Sequence, residues 1–206
     1  MKRLYLLRHG QTEFNVKKLV QGRCDSPLTD LGRQQAQAAA EWLKAHAVVP
    51  DKVVSSPLGR AMDTASLVAC EILGPDATVE PCEGIIERGY GTFEEGPHDA
   101  LPTDVWDPGE DLVPFGGEGS RALQERMVDT LTNLMGAEGI ETLLAVSHGS
   151  ASRQFIKAAA PEGFELPAKL PNCAIMIFDF DDAREEDDTP QCKFTLQQIV
   201  DPQQSH

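Results

Sequence analysis

The stretch that decides the fold is LLRHGQTEFN, residues 6–15. Its two leucines end an apolar run, residues 4–7, whose length and composition predict a short buried strand. The polar residues Arg8 and His9 follow directly, so they fall at the carboxyl end of that strand. In sheets of mainly parallel strands, ligands bind outside the carboxyl ends of the strands. Arg8 and His9 are therefore the first candidates for a functional site.

Helix and strand signals alternate along the rest of the chain. One helix is predicted from its N-cap Thr29 to about His46, and a second opens at Ser56-Pro57, with Ser56 as the cap. A third helix is predicted over residues 150–160. The further predicted strands are residues 52–55, 142–146, 174–180 and 194–200. This alternation indicates an α/β fold, a three-layer sandwich with a mostly parallel central sheet flanked by helices.

The chain length suits one domain with a full hydrophobic core, which we expect to span residues 1–200 and to leave a tail, 201–206. Residues 96–120 break the alternation, because they are rich in proline and acidic residues and contain no lysine or arginine. A long irregular segment of this kind is either a flap over a functional site or disordered. The largely acidic run 181–188 is predicted to be a solvated loop.

Composition narrows the classes of function. The formal net charge of -15 argues against a nucleic-acid partner, because no cluster of lysines and arginines could neutralise the phosphates of nucleic acid. The five cysteines are scattered and never spaced as CxxC, which is typical of free thiols in a reducing cytoplasm. No apolar stretch approaches the ~20 residues of a membrane span. We therefore expect a cytoplasmic protein without nucleic-acid or membrane partners, and the sequence indicates no oligomeric state.

Three predicted strand ends carry residues that could form one site. Besides Arg8 and His9, His148 follows one further strand, and Arg60 lies in the first turn of the helix after another. Two arginines, two histidines and helix N-termini at one sheet edge predict a phosphate pocket, because guanidinium groups form paired hydrogen bonds with phosphate oxygens. The same arginines would repel a divalent cation, so we expect no metal in the site. His98 has no partner that the sequence indicates and is predicted to lie on the surface.

Taken in order, the motifs of the chain resemble those of the histidine phosphatase superfamily, in its cofactor-dependent phosphoglycerate mutase-like branch. The matching motifs are LLRHGQTEFN (6–15), QGRCDSPLTDLG (21–32), VVSSPLGRAMDTA (53–65), IIERGYGTFEEG (85–96) and AVSHG (145–149). Each motif alone is weak evidence, whereas five in the family's order over most of residues 4–160 are specific. The resemblance implies the phosphoglycerate mutase-like fold and phosphohistidine chemistry that needs no metal or organic cofactor.

The resemblance also implies a role for each matching residue. His9 would take the phosphoryl group of a small phosphorylated substrate on a ring nitrogen, which suits a neutral imidazole with a pKa near 6.5. Glu87 would donate a proton to the leaving oxygen, and Arg8, Arg60 and His148 would hold the phosphate oxygens. The residues that would shape the pocket or bind the rest of the substrate are Asn15, Gln21, Gly22, Gly149, Arg88 and Tyr90.

Three functions remain open on the sequence. The stretch Glu87-Arg88-Gly89-Tyr90-Gly91 resembles the acid motif of 2,3-bisphosphoglycerate-dependent phosphoglycerate mutases. A mutase must retain a highly charged bisphosphate, however, and residues 94–120, where mutases carry extra cations, contain no lysine or arginine. We therefore predict a phosphomonoester hydrolase that acts through a phosphohistidine. A catalytically silent phosphate-binding domain is the third reading, although it would have no reason to keep both the nucleophile and the acid.

Overall fold

The computed structural model describes residues 1–182 and 192–204. The strands and helices alternate as the sequence predicts, with short 3₁₀ turns at 83–85, 91–93, 98–100 and 113–115. In chain order the elements are β1 (Lys2–Arg8), α1 (Glu13–Lys17), α2 (Asp30–Ala45), β2 (Lys52–Ser55), α3 (Gly59–Leu73), β3 (Glu80–Pro81), α4 (Ser120–Gly136), β4 (Thr142–Ser147), α5 (Gly149–Ala159), β5 (Ile175–Phe180) and β6 (Phe194–Val200).

The described residues form a six-stranded sheet in the order β3-β2-β4-β1-β5-β6. All pairs among strands β1 to β4 are parallel. At one side of the sheet, β5 pairs antiparallel with both β1 and β6. The prediction of a mostly parallel sheet is confirmed. In register, Arg8 lies beside Ser147 and Ser55 beside Val146. The carboxyl ends of β1, β2 and β4 are therefore neighbours at one edge.

The side chains of β1 alternate between two hydrophobic cores. Leu4 and Leu6 belong to the core that contains the buried faces of α4 and α5, whereas Tyr5 and Leu7 belong to the core under α2 and α3. Successive side chains of a strand point to opposite faces, so a strand covered on both sides needs a continuous apolar run. The run at residues 4–7 therefore follows from the three-layer architecture, and that prediction is confirmed.

The helix after β2 begins differently from the prediction. Helix α3 starts at Gly59 rather than at Pro57, and no side chain of its own N-cap bonds to it. The carboxylate of Asp25, from the preceding loop, accepts hydrogen bonds from the backbone N–H groups of Gly59 and Arg60 instead. The prediction of Ser56 as the cap was wrong because a distant carboxylate takes that place. The hydroxyl of Ser56 contacts His148.

The other predicted boundaries hold to within a residue, except that β1 starts two residues before the predicted run at 4–7. Thr29 caps α2, because its Oγ1 accepts from the backbone N–H of Gly32 at 3.0 Å. Helix α4 was not predicted. The acidic run 181–188 continues past residue 182, and that part of it lies outside the described residues. No helix in residues 1–182 and 192–204 combines the length and the apolar character needed to cross a bilayer.

Candidate active site

His9 is buried at the carboxyl end of β1 and lines a pocket. Its Nδ1 lies 2.7 Å from the backbone carbonyl oxygen of Gly10. Because a carbonyl can only accept, Nδ1 carries the proton and Nε2 keeps its lone pair. Burial holds the pKa of His9 well below 6.5, and the positive charges of Arg60 and Arg8 lower it further. The ring is neutral at neutral pH, and Nε2 is available as a nucleophile.

Two buried guanidinium groups flank the pocket. Arg60 donates from Nη1 to the carbonyl of Cys24 and from Nη2 to that of Gly22, each at 2.7 Å, and it pairs with Asp25 at 3.2 Å. Arg8 donates from Nη1 to the carbonyl of Leu170. Burial lowers the pKa of Arg8 to about 10, so this guanidinium stays cationic at neutral pH. The site therefore holds two fixed positive charges inside an acidic protein.

His148 lies at the end of β4, with its ring centroid 5.2 Å from that of His9. Its Nε2 is 2.7 Å from Oγ of Ser56, and a serine hydroxyl can donate its proton to that nitrogen. In this arrangement the ring proton of His148 is on Nδ1. Burial lowers the pKa of His148 well below 6.5, and the positive charge of Arg60 lowers it further. His148 is therefore a neutral hydrogen-bond donor.

Three buried nitrogens of these residues have no hydrogen-bond partner: Nε of Arg8, Nε of Arg60 and Nδ1 of His148. In the part of the chain that the structure describes, the other such side-chain atoms belong to Ser152 and Arg153. Leaving a buried donor unsatisfied costs about 1–3 kcal/mol, and more for a charged group. Arg8 and Arg60 line the pocket with His9, whereas His148 lies beside the His9 ring and is not among the lining residues. Donors left without partners in this way can serve an anion with several oxygens, as phosphate is.

The Glu87 carboxylate belongs to the same pocket wall. Its Oε1 accepts from the backbone N–H groups of Arg88 at 2.8 Å and Ala151 at 2.9 Å, and its Oε2 accepts from that of Ser150 at 3.2 Å. Two of these amides belong to the first turn of α5, where unpaired N–H groups and the helix dipole favour an acceptor. Glu87 is therefore held rigidly at a helix N-terminus, with Oε2 the less engaged oxygen.

The other carboxylates of this region are placed elsewhere. Glu83 is exposed. Glu94 accepts from the backbone N–H of Tyr90 at 2.9 Å and of Arg23 at 3.1 Å, and it fills the space where a side chain at Gly22 would lie. Gly22 also has a φ of +52°, which favours glycine. Glu94 therefore stabilises the loop, and Glu87 is the carboxylate that faces the pocket.

Most residues predicted from the sequence meet at this pocket. Those that line it are Arg8, His9, Asn15, Gln21, Gly22, Arg60, Glu87, Tyr90 and Gly149. Arg88 lies behind the wall instead, where its buried guanidinium bonds to Oγ of Ser150 at 2.9 Å, the carbonyl of Glu118 at 2.8 Å and Oγ of Ser120 at 2.8 Å. The structure therefore gives Arg88 contacts that support the wall rather than contacts to the pocket.

A family model described as the histidine phosphatase superfamily (branch 1) matches residues 4–189. The chain belongs to this superfamily. It is 31% identical to the probable phosphoglycerate mutase GpmB of Proteus mirabilis over 186 residues, which cover 87% of this chain and 86% of that protein. It is 33% identical to a broad-specificity phosphatase of Saccharomyces cerevisiae over 166 residues, 75% of this chain and 69% of that protein.

Among solved structures, the chain is similar to a mutant phosphoserine phosphatase of Entamoeba histolytica in complex with phosphoserine. The two chains are 27% identical and superpose with a TM-score of 0.75, and the match covers 100% of each. The family predicted from the five motifs is confirmed, and so is the prediction of an enzyme in the histidine phosphatase superfamily.

In this member of the superfamily, the segment 96–120, which we call the flap, contributes residues to one side of the pocket. Val105 and Trp106 line the pocket, and the guanidinium carbon of Arg8 lies 5.1 Å from the centroid of the Trp106 ring. The hydroxyl of Tyr90 donates to the carbonyl of Val105 at 2.7 Å, and Asp107 pairs with Lys157 of α5. The flap is therefore held on both sides of Trp106, by a hydrogen bond at Val105 and an ion pair at Asp107.

The flap also brings in His98, which the sequence predicted to lie on the surface. His98 is half-buried and lines the pocket beside Leu19 and Val20, so that prediction holds only in part. Its Nε2 lies 3.2 Å from the carbonyl oxygen of Leu19. Burial lowers the pKa of His98. Its position depends on a contact between two irregular segments, and the composition of 96–120 was the one sequence signal that pointed to a flap.

Proposed function

We propose that the chain is a phosphomonoester hydrolase that acts on a small phosphorylated metabolite through a phosphohistidine on His9. The observation that carries the proposal is the set of three unsatisfied buried donors around a neutral histidine. Arg8, Arg60 and His148 can each give one hydrogen bond to a phosphate oxygen. Preorganised donors of this kind stabilise the charge on a phosphoryl group during transfer.

In the first step, Nε2 of His9 attacks phosphorus while the bond from phosphorus to the ester oxygen breaks. The proton on Nδ1 stays on the ring, where the carbonyl of Gly10 accepts its hydrogen bond. Glu87, when protonated, gives its proton to the leaving oxygen, so an alcohol departs. The transferred group remains within reach of the fixed donors of Arg8 and Arg60.

In the second step, water attacks the phosphohistidine and the bond from phosphorus to Nε2 breaks. Glu87 is now a carboxylate and takes a proton from the attacking water, which returns it to its starting form. Inorganic phosphate leaves, and His9 is again a neutral imidazole. The cycle consumes only the phosphate ester and one water molecule, and both His9 and Glu87 return to their starting protonation states.

Phosphoglycerate mutase is the second candidate, and one observation favours it. Cations from outside residues 94–120 lie near the pocket. The carbonyl of Lys18 accepts from the backbone N–H of His98 at 3.1 Å, and Nζ of Lys169 lies 5.7 Å from the ring centroid of Trp106, so both lysines neighbour residues that line the pocket. Phosphate release from phosphomonoesters should still exceed interconversion of 3- and 2-phosphoglycerate. A dominant, bisphosphate-stimulated interconversion would assign the mutase function instead.

The proposed intermediate can be trapped directly. A slow substrate with a radiolabelled phosphoryl group should leave label on the protein, in an adduct that is labile to acid and stable to base. The label should be absent from His9→Ala and present in His46→Ala, which changes an exposed histidine outside the pocket. Label on a serine or an aspartate would contradict the mechanism.

A further inference from the structure

Most basic side chains of the described residues are neutralised locally. The chain has 18 lysines and arginines, of which Arg184 lies outside the described residues. Of the 17 others, twelve form ion pairs with carboxylates. In a protein with a net charge of -15, this is the expected state of a surface cation. The exceptions therefore need a reason.

The five exceptions are not scattered. Arg88 and Arg153 have buried side chains whose guanidinium groups bond to backbone carbonyls or hydroxyls. Arg8 lies in the pocket. The remaining two are Lys18 and Lys169, both exposed. Over the part of the chain that the structure describes, neither ammonium group has an ion pair or a hydrogen bond, although carboxylates are plentiful.

Both lysines are exposed and lie next to residues that line the pocket, Leu19 and Trp106, at the rim that we call its mouth. Nζ of Lys169 is 5.7 Å from the ring centroid of Trp106, the residue whose ring also contacts Arg8. The neighbour of Lys169 in sequence, Leu170, accepts the hydrogen bond of Arg8. Lys169 is thus one residue away from an anchor of the catalytic guanidinium.

Lys18 belongs to another segment beside the pocket. It directly precedes Leu19 and Val20, which line the pocket, and its carbonyl accepts from the backbone N–H of His98 at 3.1 Å. Partial burial lowers the pKa of Lys169, and the charges of Arg8 and Lys18 lower it further. The charge of Lys18 thus acts on the ammonium group of Lys169 in the same direction as that of Arg8.

We propose that Lys169, with Lys18, binds a second anionic group of the substrate and thereby selects phosphate esters that carry one. The inference rests on the proposed function. The donors of Arg8, Arg60 and His148 are directed at the transferred phosphoryl group, so they are not available for another anion. An ammonium group at the mouth can donate to a carboxylate at the far end of a short substrate, and it would also relieve the repulsion between the two lysines.

Two esters that differ at one group test this specificity. 3-Phosphoglycerate and glycerol 3-phosphate share the phosphate and the carbon chain, but the first has a carboxylate where the second has a hydroxymethyl group. Lys169→Met should lower kcat/KM for 3-phosphoglycerate by roughly tenfold or more, the effect of losing one hydrogen bond to a charged group. The value for glycerol 3-phosphate should stay within about twofold, since its uncharged end loses no such bond.

The matched variants separate binding from general electrostatics. Lys169→Arg should recover most of the selectivity, and Lys18→Met should change it in the same direction as Lys169→Met. Lys44→Met removes the same charge from a lysine paired with Glu71 outside the pocket, and it should alter neither value. An equal loss for both esters in Lys169→Met would mean that the lysine only attracts anions at a distance, and it would overturn the proposal. No change for either ester would overturn it as well.

Binding distinguishes this proposal from the proposed function. In a His9→Ala background, calorimetric titration with each ester measures affinity without turnover. Adding Lys169→Met should weaken binding of 3-phosphoglycerate and leave that of glycerol 3-phosphate nearly unchanged. If wild type hydrolyses neither ester but this difference in affinity is present, the phosphatase function fails and the anion subsite stands. If the difference is absent, the subsite fails whatever the activity.

Discussion

Acidification should destabilise this protein through His9 and His148 well before most carboxylates protonate. Both rings are buried and have pKa values held well below 6.5, so the folded state excludes protons that the unfolded chain binds. The free energy of unfolding therefore falls as the pH falls below about 6.5. Between about pH 7 and about pH 5.5, an unfolded pKa of about 6.5 gives a loss of up to about 1.3 kcal/mol for each ring. Together, His9 and His148 should lower the free energy of unfolding by up to about 2.5 kcal/mol over this range.

The measurement is urea unfolding followed by circular dichroism across this pH range, in buffers without phosphate. His9→Asn and His148→Asn should each reduce the loss of unfolding free energy over this range by up to about 1.3 kcal/mol, whatever their stability at neutral pH. Contributions from other groups, including the pKa-lowered His98, are common to all three proteins and cancel in the comparison. If the variants showed the same pH dependence as wild type, the two rings would not be the groups that resist protonation in the folded state.

Three further predictions concern the pocket. Glu87→Gln should slow phosphoryl transfer from alkyl phosphates by a factor of about 10²–10⁴, and transfer from p-nitrophenyl phosphate far less, because nitrophenolate leaves without a proton. If burst kinetics showed equal slowing for both substrates, Glu87 would not be the general acid. Activity should persist in EDTA and vanadate should compete with substrate, whereas complete loss on chelation, restored by a divalent ion, would reassign the role of the arginines. Gly149→Ala should lower kcat/KM by roughly tenfold or more with little change in melting temperature, because a Cβ there lies 2.7 Å from the Trp106 ring and displaces the flap. The control is Gly136→Ala, whose Cβ meets nothing within 4 Å. Equal kinetics in both variants would show that the position of the flap does not affect catalysis.

The sequence by itself determined the fold class, the family and the central residues of the site. Apolar runs located the strands, and the polar residues after them fell at strand ends. Parallel strands bring their carboxyl ends to one edge, so residues as far apart as His9 and His148 could be placed together without coordinates. The catalytic roles given to these residues, and the single domain expected over 1–200, stay predictions.

The tertiary structure alone decided what surrounds that centre. Asp25 caps α3 in place of Ser56, His98 and Trp106 enter the pocket from the flap, and Lys18 and Lys169 reach its mouth from segments far apart in sequence. All of these positions depend on irregular segments, which have no periodicity that a sequence pattern could reveal. Their conformations follow from long-range hydrogen bonds and packing, such as the bond from Arg8 to Leu170, and those contacts form when the chain is folded.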